Sequence, residues 1–194
     1  MPSRDYFTLF GLDHKLLIDS ADLQKRFYEL SRQWHPDRFS RKPAAEQMEA
    51  LETTSMLNDG YRTLKDPVKR AEYVLAEAGF PIGEQRGKDV PPELLEEVFD
   101  LNMMLEEIKT GDESAAPQLA RAGEHFLELR AEADRELEAQ FTAHDAAGAF
   151  GNDAGRQALQ AIRGILNRRR YIENLIRDVD RTLNPAPAGS ASAQ

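Results

Sequence analysis

Residues 27–39 read FYELSRQWHPDRF, and the tripeptide His35-Pro36-Asp37 within this run decides the fold. Upstream, Leu23, Phe27, Leu30 and Trp34 recur at spacings of 4, 3 and 4, one face of an α-helix. Pro36 ends that helix, because its ring has no N–H to donate and crowds the preceding turn. Ser20 offers a hydroxyl N-cap at the helix start. Downstream, Met48, Leu51, Thr54, Leu57, Tyr61 and Leu64 recur at 3, 3, 3, 4 and 3, a second stripe closed by Asp66-Pro67. Together the stripes predict an antiparallel helical hairpin with His35, Pro36 and Asp37 on the bend at its tip. Residues 5–12, DYFTLFGL, supply a short apolar helix with a glycine stop, placed to pack across the hairpin and against Trp34. Gly60 inside the second long helix costs about 1 kcal/mol relative to alanine, a cost that only a closely approaching neighbour would justify.

Polar groups on a rigid bend point more often to a partner than to packing. His35 and Asp37 are acid–base residue types, but catalysis needs a concave, partly dry site and a third orienting group. The chain has no GxxxxGK[ST] run for nucleotide phosphates, so no catalysis of its own is expected. Recognition suits the same residues better. Asp37 can accept two charge-assisted hydrogen bonds from an arginine, and Pro36 preorganises the carboxylate. His35 either braces the bend or bonds to a partner's backbone. Residues 21–42 carry six basic groups (Lys25, Arg26, Arg32, Arg38, Arg41 and Lys42) against three acidic ones. In a chain of net charge −9, that local positive surface steers toward an acidic patch on a partner.

The chain holds 194 residues, enough for one or two domains with real cores. Residues 1–80 carry 12 basic and 13 acidic groups and residues 81–194 carry 13 and 21, a balance that argues against nucleic acid as a partner. The run Arg168-Arg169-Arg170 points three ways around a helix and does not alter this reading. With no cysteine there is no disulfide or Cys-ligated cluster, and His14, His125 and His144 lack ligand spacing; no metal or other cofactor is expected. No apolar run approaches the ~18 residues that span a bilayer. Met1 to Asp5 leads straight into the first helix without a leader, so no membrane contact and a cytoplasmic location are expected.

Gly79, Gly83 and Gly87 with Pro81, Pro91 and Pro92 mark a linker. The expected organisation is a first domain over 1–79, a linker over 80–92, a three-helix bundle over 93–183 and a disordered tail over 184–194. The bundle stripes are Leu94–Val98–Leu101–Leu105–Ile108, then Leu119 to Phe141, then Leu159 to Leu183. No strand pattern is present, and the fold class is all-α. Leu95, Phe99 and Met103 form a further line, turned by about 100° from the first stripe. Residues 89–113 hold nine acidic groups and one basic. That combination reads either as a helix with a wide buried face or as an apolar ridge for a partner whose hydrophobic patch is rimmed by lysine or arginine.

The segments DYFTLFGL, FYELSRQWHPDRF and LNDGYRTLKDP resemble the J-domain, and the continuation Arg70-Ala71-Glu72-Tyr73-Val74-Leu75 is similar to the HscB family within it. The resemblance implies a J-domain hairpin followed by a scaffold-binding bundle. It also implies a co-chaperone that stimulates the ATPase of an HscA/DnaK-type chaperone and delivers the iron–sulfur scaffold IscU to it. On that basis His35, Pro36, Asp37, Lys25, Arg26, Arg32 and Arg38 are the expected chaperone-binding residues. Leu95, Glu96, Phe99, Asp100, Met103, Glu107 and Tyr171 are the expected scaffold-binding ones. Glu96 stands where the family more usually has an apolar residue, and Met103 where it has an acid. The alternative is a J-domain co-chaperone whose bundle binds a different client.

Overall fold

The computed structural model describes residues 5–80, 90–148 and 152–185, so most of the expected linker and all but the first two residues of the expected tail lie outside the described residues. Every regular element among the described residues is helical. The chain divides into two compact units, Met1–Pro81 with Gln140–Ile162, and Ile82–Ala139 with Arg163–Gln194.

In the first unit, α1 (Tyr6–Phe10) begins at Asp5, whose carboxylate accepts from the Phe7 and Thr8 amides at 3.1 and 3.0 Å. It ends at Gly11, whose φ of 63° is left-handed and closes the last carbonyls. Helix α2 (Ser20–Gln33) is capped by Asp19, one residue before the expected Ser20; its carboxylate accepts from the Ala21 amide at 2.8 Å. A 3-10 turn over Pro36–Phe39 forms the bend, followed by α3 (Ala44–Lys65). Helix α4 (Pro67–Glu77) starts on the Asp66 cap with proline at its first position, where no N–H is needed. Phe27 of α2 stacks on Tyr61 of α3 at 4.2 Å, which joins the two arms of the hairpin.

Helix α3 does not bury the stripe expected of its first turns. Its buried line is Ala50, Thr53, Leu57, Gly60 and Leu64, while Met48 and Leu51 are 58% and 53% exposed. The reason is rotational. Each residue advances about 100°, so three successive steps of three carry Met48 half a turn away from Leu57. Gly60 is explained by α1: a Cβ there would meet the rings of Tyr6 and Phe10 at 3.0 Å. Trp34, expected against the first helix, stacks on Phe39 of the bend.

The segment Gln140–Ile162 completes this unit with a polar clamp. The Asp145 carboxylate accepts from the Leu16 and Leu17 amides, both at 2.8 Å, and lies 3.0 Å from His144 Nδ1. Buried Arg70 donates Nε to the Leu16 carbonyl at 2.8 Å and Nη1 to the Leu64 carbonyl. Burial pulls the Arg70 guanidinium down, against the opposing charges of Asp145 and Asp66.

The second unit contains α5 (Leu95–Lys109) and most of α6 (Ala116–Ala147) and α7 (Asp153–Leu183). Leu94, Leu101, Leu119, Phe126, Ile172, Leu175 and Val179 form its core. Arg168 pairs with Glu136 at 2.5 Å and Arg169 with Asp134 at 2.6 Å, and a Cβ on Gly123 would touch Val179. Numbers that rise on one helix as they fall on the other mark α6 and α7 as antiparallel. Two members of the arginine run thus staple helices together. Burial lowers the Arg169 pKa, but Asp134 and Glu173 outweigh it and hold the group above its usual value.

Candidate functional site

Why the bend has its shape follows from six residues around Asp37. His35 is extended (φ −59°, ψ 128°) and its Nδ1 accepts from the Asp37 amide at 3.3 Å, so the imidazole caps the 3-10 turn that Pro36 opens. The Trp34 and Phe39 rings lie parallel within 2° at 5.7 Å, bracketing the turn. Thr54 Oγ1 donates to the Trp34 carbonyl at 3.0 Å and fixes the turn to α3. Ser40 Oγ donates to the Asp37 carbonyl at 2.9 Å, so the Asp37 backbone is engaged. Its carboxylate is not: it is 90% exposed, and the His35 Nδ1 that lies 3.6 Å away already accepts from the Asp37 amide. A fixed backbone holding out an exposed carboxylate is suited to recognition by a guanidinium.

Of the basic residues expected around it, Lys25, Arg32 and Arg38 are exposed. Arg38 Nη1 donates to the Arg32 carbonyl at 3.3 Å, drawing that side chain back along α2. Arg26 is engaged within the unit. Its Nε donates to Asp22 at 2.8 Å, and Nη1 donates to the Phe10 and Gly11 carbonyls at 3.0 and 2.7 Å. Arg26 therefore closes the end of α1, an interaction that charge counting does not distinguish from an outward-facing cation.

In the second unit the further line on α5 is open to solvent: Leu95, Phe99 and Met103 are 56%, 65% and 50% exposed. Val98, Leu105 and Ile108 pack instead against the core. Glu96, Asp100 and Glu107 are exposed beside the ridge. Tyr171 is half-buried against the core and lines a hollow with Val90, Pro91 and Pro92, the residues leading into α5. Burial, with Asp178 nearby, pushes its hydroxyl up from the usual value. The structure thus groups the six α5 residues on one helix, with Tyr171 beside the segment that precedes them. Sequence reading missed the Trp34–Phe39 bracket, the Thr54 tie, the bond from Gln47 Nε2 to the Lys42 carbonyl at 2.8 Å, and Asp145. The aromatic pair five residues apart around HPD was the one available signal.

A bend of this kind on a helical hairpin, followed by a helical bundle, is the architecture of a J-domain co-chaperone. Residues 5–73 match the DnaJ domain family model, and residues 90–180 match the model described as the HSCB C-terminal oligomerisation domain. Among solved structures the chain is similar to the chaperone HscB from Vibrio cholerae, with a TM-score of 0.61 and 25% identity over 91% of this chain and 96% of that one. It is similar as well to human co-chaperone protein HscB, with a TM-score of 0.68 and 25% identity over 96% of this chain and 85% of that one. The chain belongs to the HscB family of J-domain co-chaperones, with a co-chaperone role in iron–sulfur cluster assembly. Among the described residues, no helix is long and apolar enough to cross a membrane, and no group of three His, Asp or Glu side chains is placed to hold a metal ion.

Proposed function

We propose that the bend stimulates ATP hydrolysis by a DnaK-type chaperone of the HscA class, while the α5 ridge carries an IscU-type iron–sulfur scaffold to it. The observation that carries this reading is Asp37: its carboxylate is 90% exposed on a backbone fixed by Pro36, the His35 cap and the Trp34–Phe39 stack. A chaperone arginine docked there gains a planar two-bond contact with little ordering cost. Stimulation is then a population shift, the chaperone's hydrolysis-competent state being the one that binds the bend better. Lys25, Arg32 and Arg38 accelerate encounter with an acidic chaperone surface. His35 and Asp37 lie on an exposed turn, which supports an activator without catalysis of its own.

Leu95, Phe99 and Met103, edged by Glu96, Asp100 and Glu107, offer apolar anchors within an acidic rim, and Tyr171 adds an aromatic at the α7 side. The matching scaffold surface is apolar with a basic rim. We place this work in the cytoplasm, without nucleic acid, as the acidic second half and the absence of cysteine favour. The test uses two variants of the full chain. Asp37→Asn is expected to keep its helical circular dichroism and its scaffold affinity while losing chaperone stimulation. Leu95→Ala with Phe99→Ala is expected to do the converse. Stimulation by Asp37→Asn equal to wild type would refute the assignment of the bend.

A further inference from the structure

Met48 and Leu51 are the largest apolar feature of the first unit that packing leaves unexplained. They lie one turn apart on α3 and are 58% and 53% exposed, while Ala50 and Thr53 between and beyond them are buried. In these first turns the helix places its small residues inward and its large apolar residues outward. The apolar face is also confined to the end of α3 that adjoins the bend. One, two and three turns beyond Met48 on the same side stand Glu52, Ser55 and Asp59, all exposed. An exposed apolar patch at that end, next to the bend, is a candidate contact surface.

The patch is rigidly referenced to Asp37. Helix α3 packs on the 3-10 turn, and Gln47, the residue before Met48, donates Nε2 to the Lys42 carbonyl at 2.8 Å and to the Ser40 carbonyl at 3.5 Å. Ser40 in turn donates to the Asp37 carbonyl. A single chain of hydrogen bonds therefore runs from the carboxylate-bearing residue to the first turns of α3.

Resting on the proposed role of the bend, we infer that Met48 and Leu51 are a second anchor for the same DnaK-type chaperone, seated in an apolar depression beside the arginine that receives Asp37. The occupant follows from continuity: a partner large enough to enclose the bend meets this face of α3 next. Charge gives specificity at Asp37, and desolvated apolar contact gives residence time. Methionine suits the role because its unbranched thioether adapts to an irregular partner surface.

The two anchors make separable predictions. Met48→Gln with Leu51→Gln keeps helix propensity and comparable side-chain size but removes the apolar contact. Titrated into an HscA-type chaperone with ATP, this double variant should reach the wild-type maximal rate, with its half-maximal concentration raised at least about tenfold, the effect of roughly 1.4 kcal/mol. The swap Met48→Leu with Leu51→Met should titrate as wild type. Asp37→Asn, measured in parallel, should lose the maximal rate itself. An unchanged half-maximal concentration for the glutamine pair, with Asp37→Asn inactive, overturns the second anchor and leaves the role of the bend standing. Asp37→Asn as active as wild type removes both. Melting temperatures of the two double variants, expected within a few degrees of wild type for exposed positions, guard against a folding effect; if the glutamine pair melts early while the swap does not, the patch is structural and the inference fails.

Discussion

Asp5 shows how much one side chain carries in the first unit. Burial raises its pKa, but hydrogen bonds from the Thr8 hydroxyl and from the Thr8 and Phe7 amides, with His14 at 2.9 Å, outweigh that and hold it below the ordinary value of 3.8. A depressed folded-state pKa contributes stability that is present above the unfolded value and is lost as pH falls through the folded one. Thermal melts between neutral pH and pH ~2 should therefore show a steeper acid loss for wild type than for Asp5→Ala; parallel curves would show that the cap contributes nothing. Tyr73, whose hydroxyl also reaches Asp5 at 3.2 Å, is raised by burial far above the usual tyrosine range and stays neutral throughout that window. Gly60 sits at the opposite extreme, where a missing side chain matters. Alanine there gains about 1 kcal/mol of helix propensity but presses on Tyr6 and Phe10, rings held by the Tyr6–Tyr73 stack and by burial. Overpacking of about 1–3 kcal/mol should win, so Gly60→Ala is expected to lower denaturant-derived stability by about 1 kcal/mol. A stabilised variant would mean that α1 shifts freely. The need for Gly60 was legible as an anomaly in the sequence, but its neighbour was not, because periodicity says nothing about which helix crosses where.

At the scale of the element, α3 and α5 teach opposite lessons. The stripe read along α3 drifted because consecutive spacings of three rotate backward, and the residues at its start came out on the solvent side. In α5 the spacing of four between Leu95, Phe99 and Met103 kept them on a line that the structure leaves exposed. The core stripe beside it holds the helix in place through Leu101, Val98, Leu105 and Ile108. Such a ridge should behave as an interface core, with a few anchors carrying most of the affinity. Leu95→Ala with Phe99→Ala is expected to weaken scaffold binding by more than ~2 kcal/mol in a calorimetric titration, with little change in melting temperature. An unaltered dissociation constant would move the scaffold site elsewhere. Chemistry along a helix was readable because both the apolar line and its acidic edge are local patterns. The hollow beside Tyr171 was not, since it depends on where the residues before α5 run.

For the whole molecule, the unit that bears the bend is completed by residues 140–162, far away in sequence. Asp145 satisfies two amides of the loop after α1 and opposes the buried Arg70 charge. No periodic signal announces this, because an aspartate near a helix end looks the same whether it is solvated or clamped. Asp145→Ala would leave the Leu16 and Leu17 amides without that acceptor, at a cost of roughly 1–3 kcal/mol. Faster hydrogen exchange at those two amides is the expected local signature; unchanged protection would mean that other groups replace the carboxylate. On the proposed reading of the bend, chaperone activation depends most directly on Asp37. The decisive measurement is the ATP turnover of an HscA-type chaperone, titrated with wild-type protein and with Asp37→Asn in the presence of saturating IscU-type scaffold. The account predicts a saturable rise for wild type and a flat response for the variant, even though both bind scaffold equally; a rise of the same height for Asp37→Asn would contradict it.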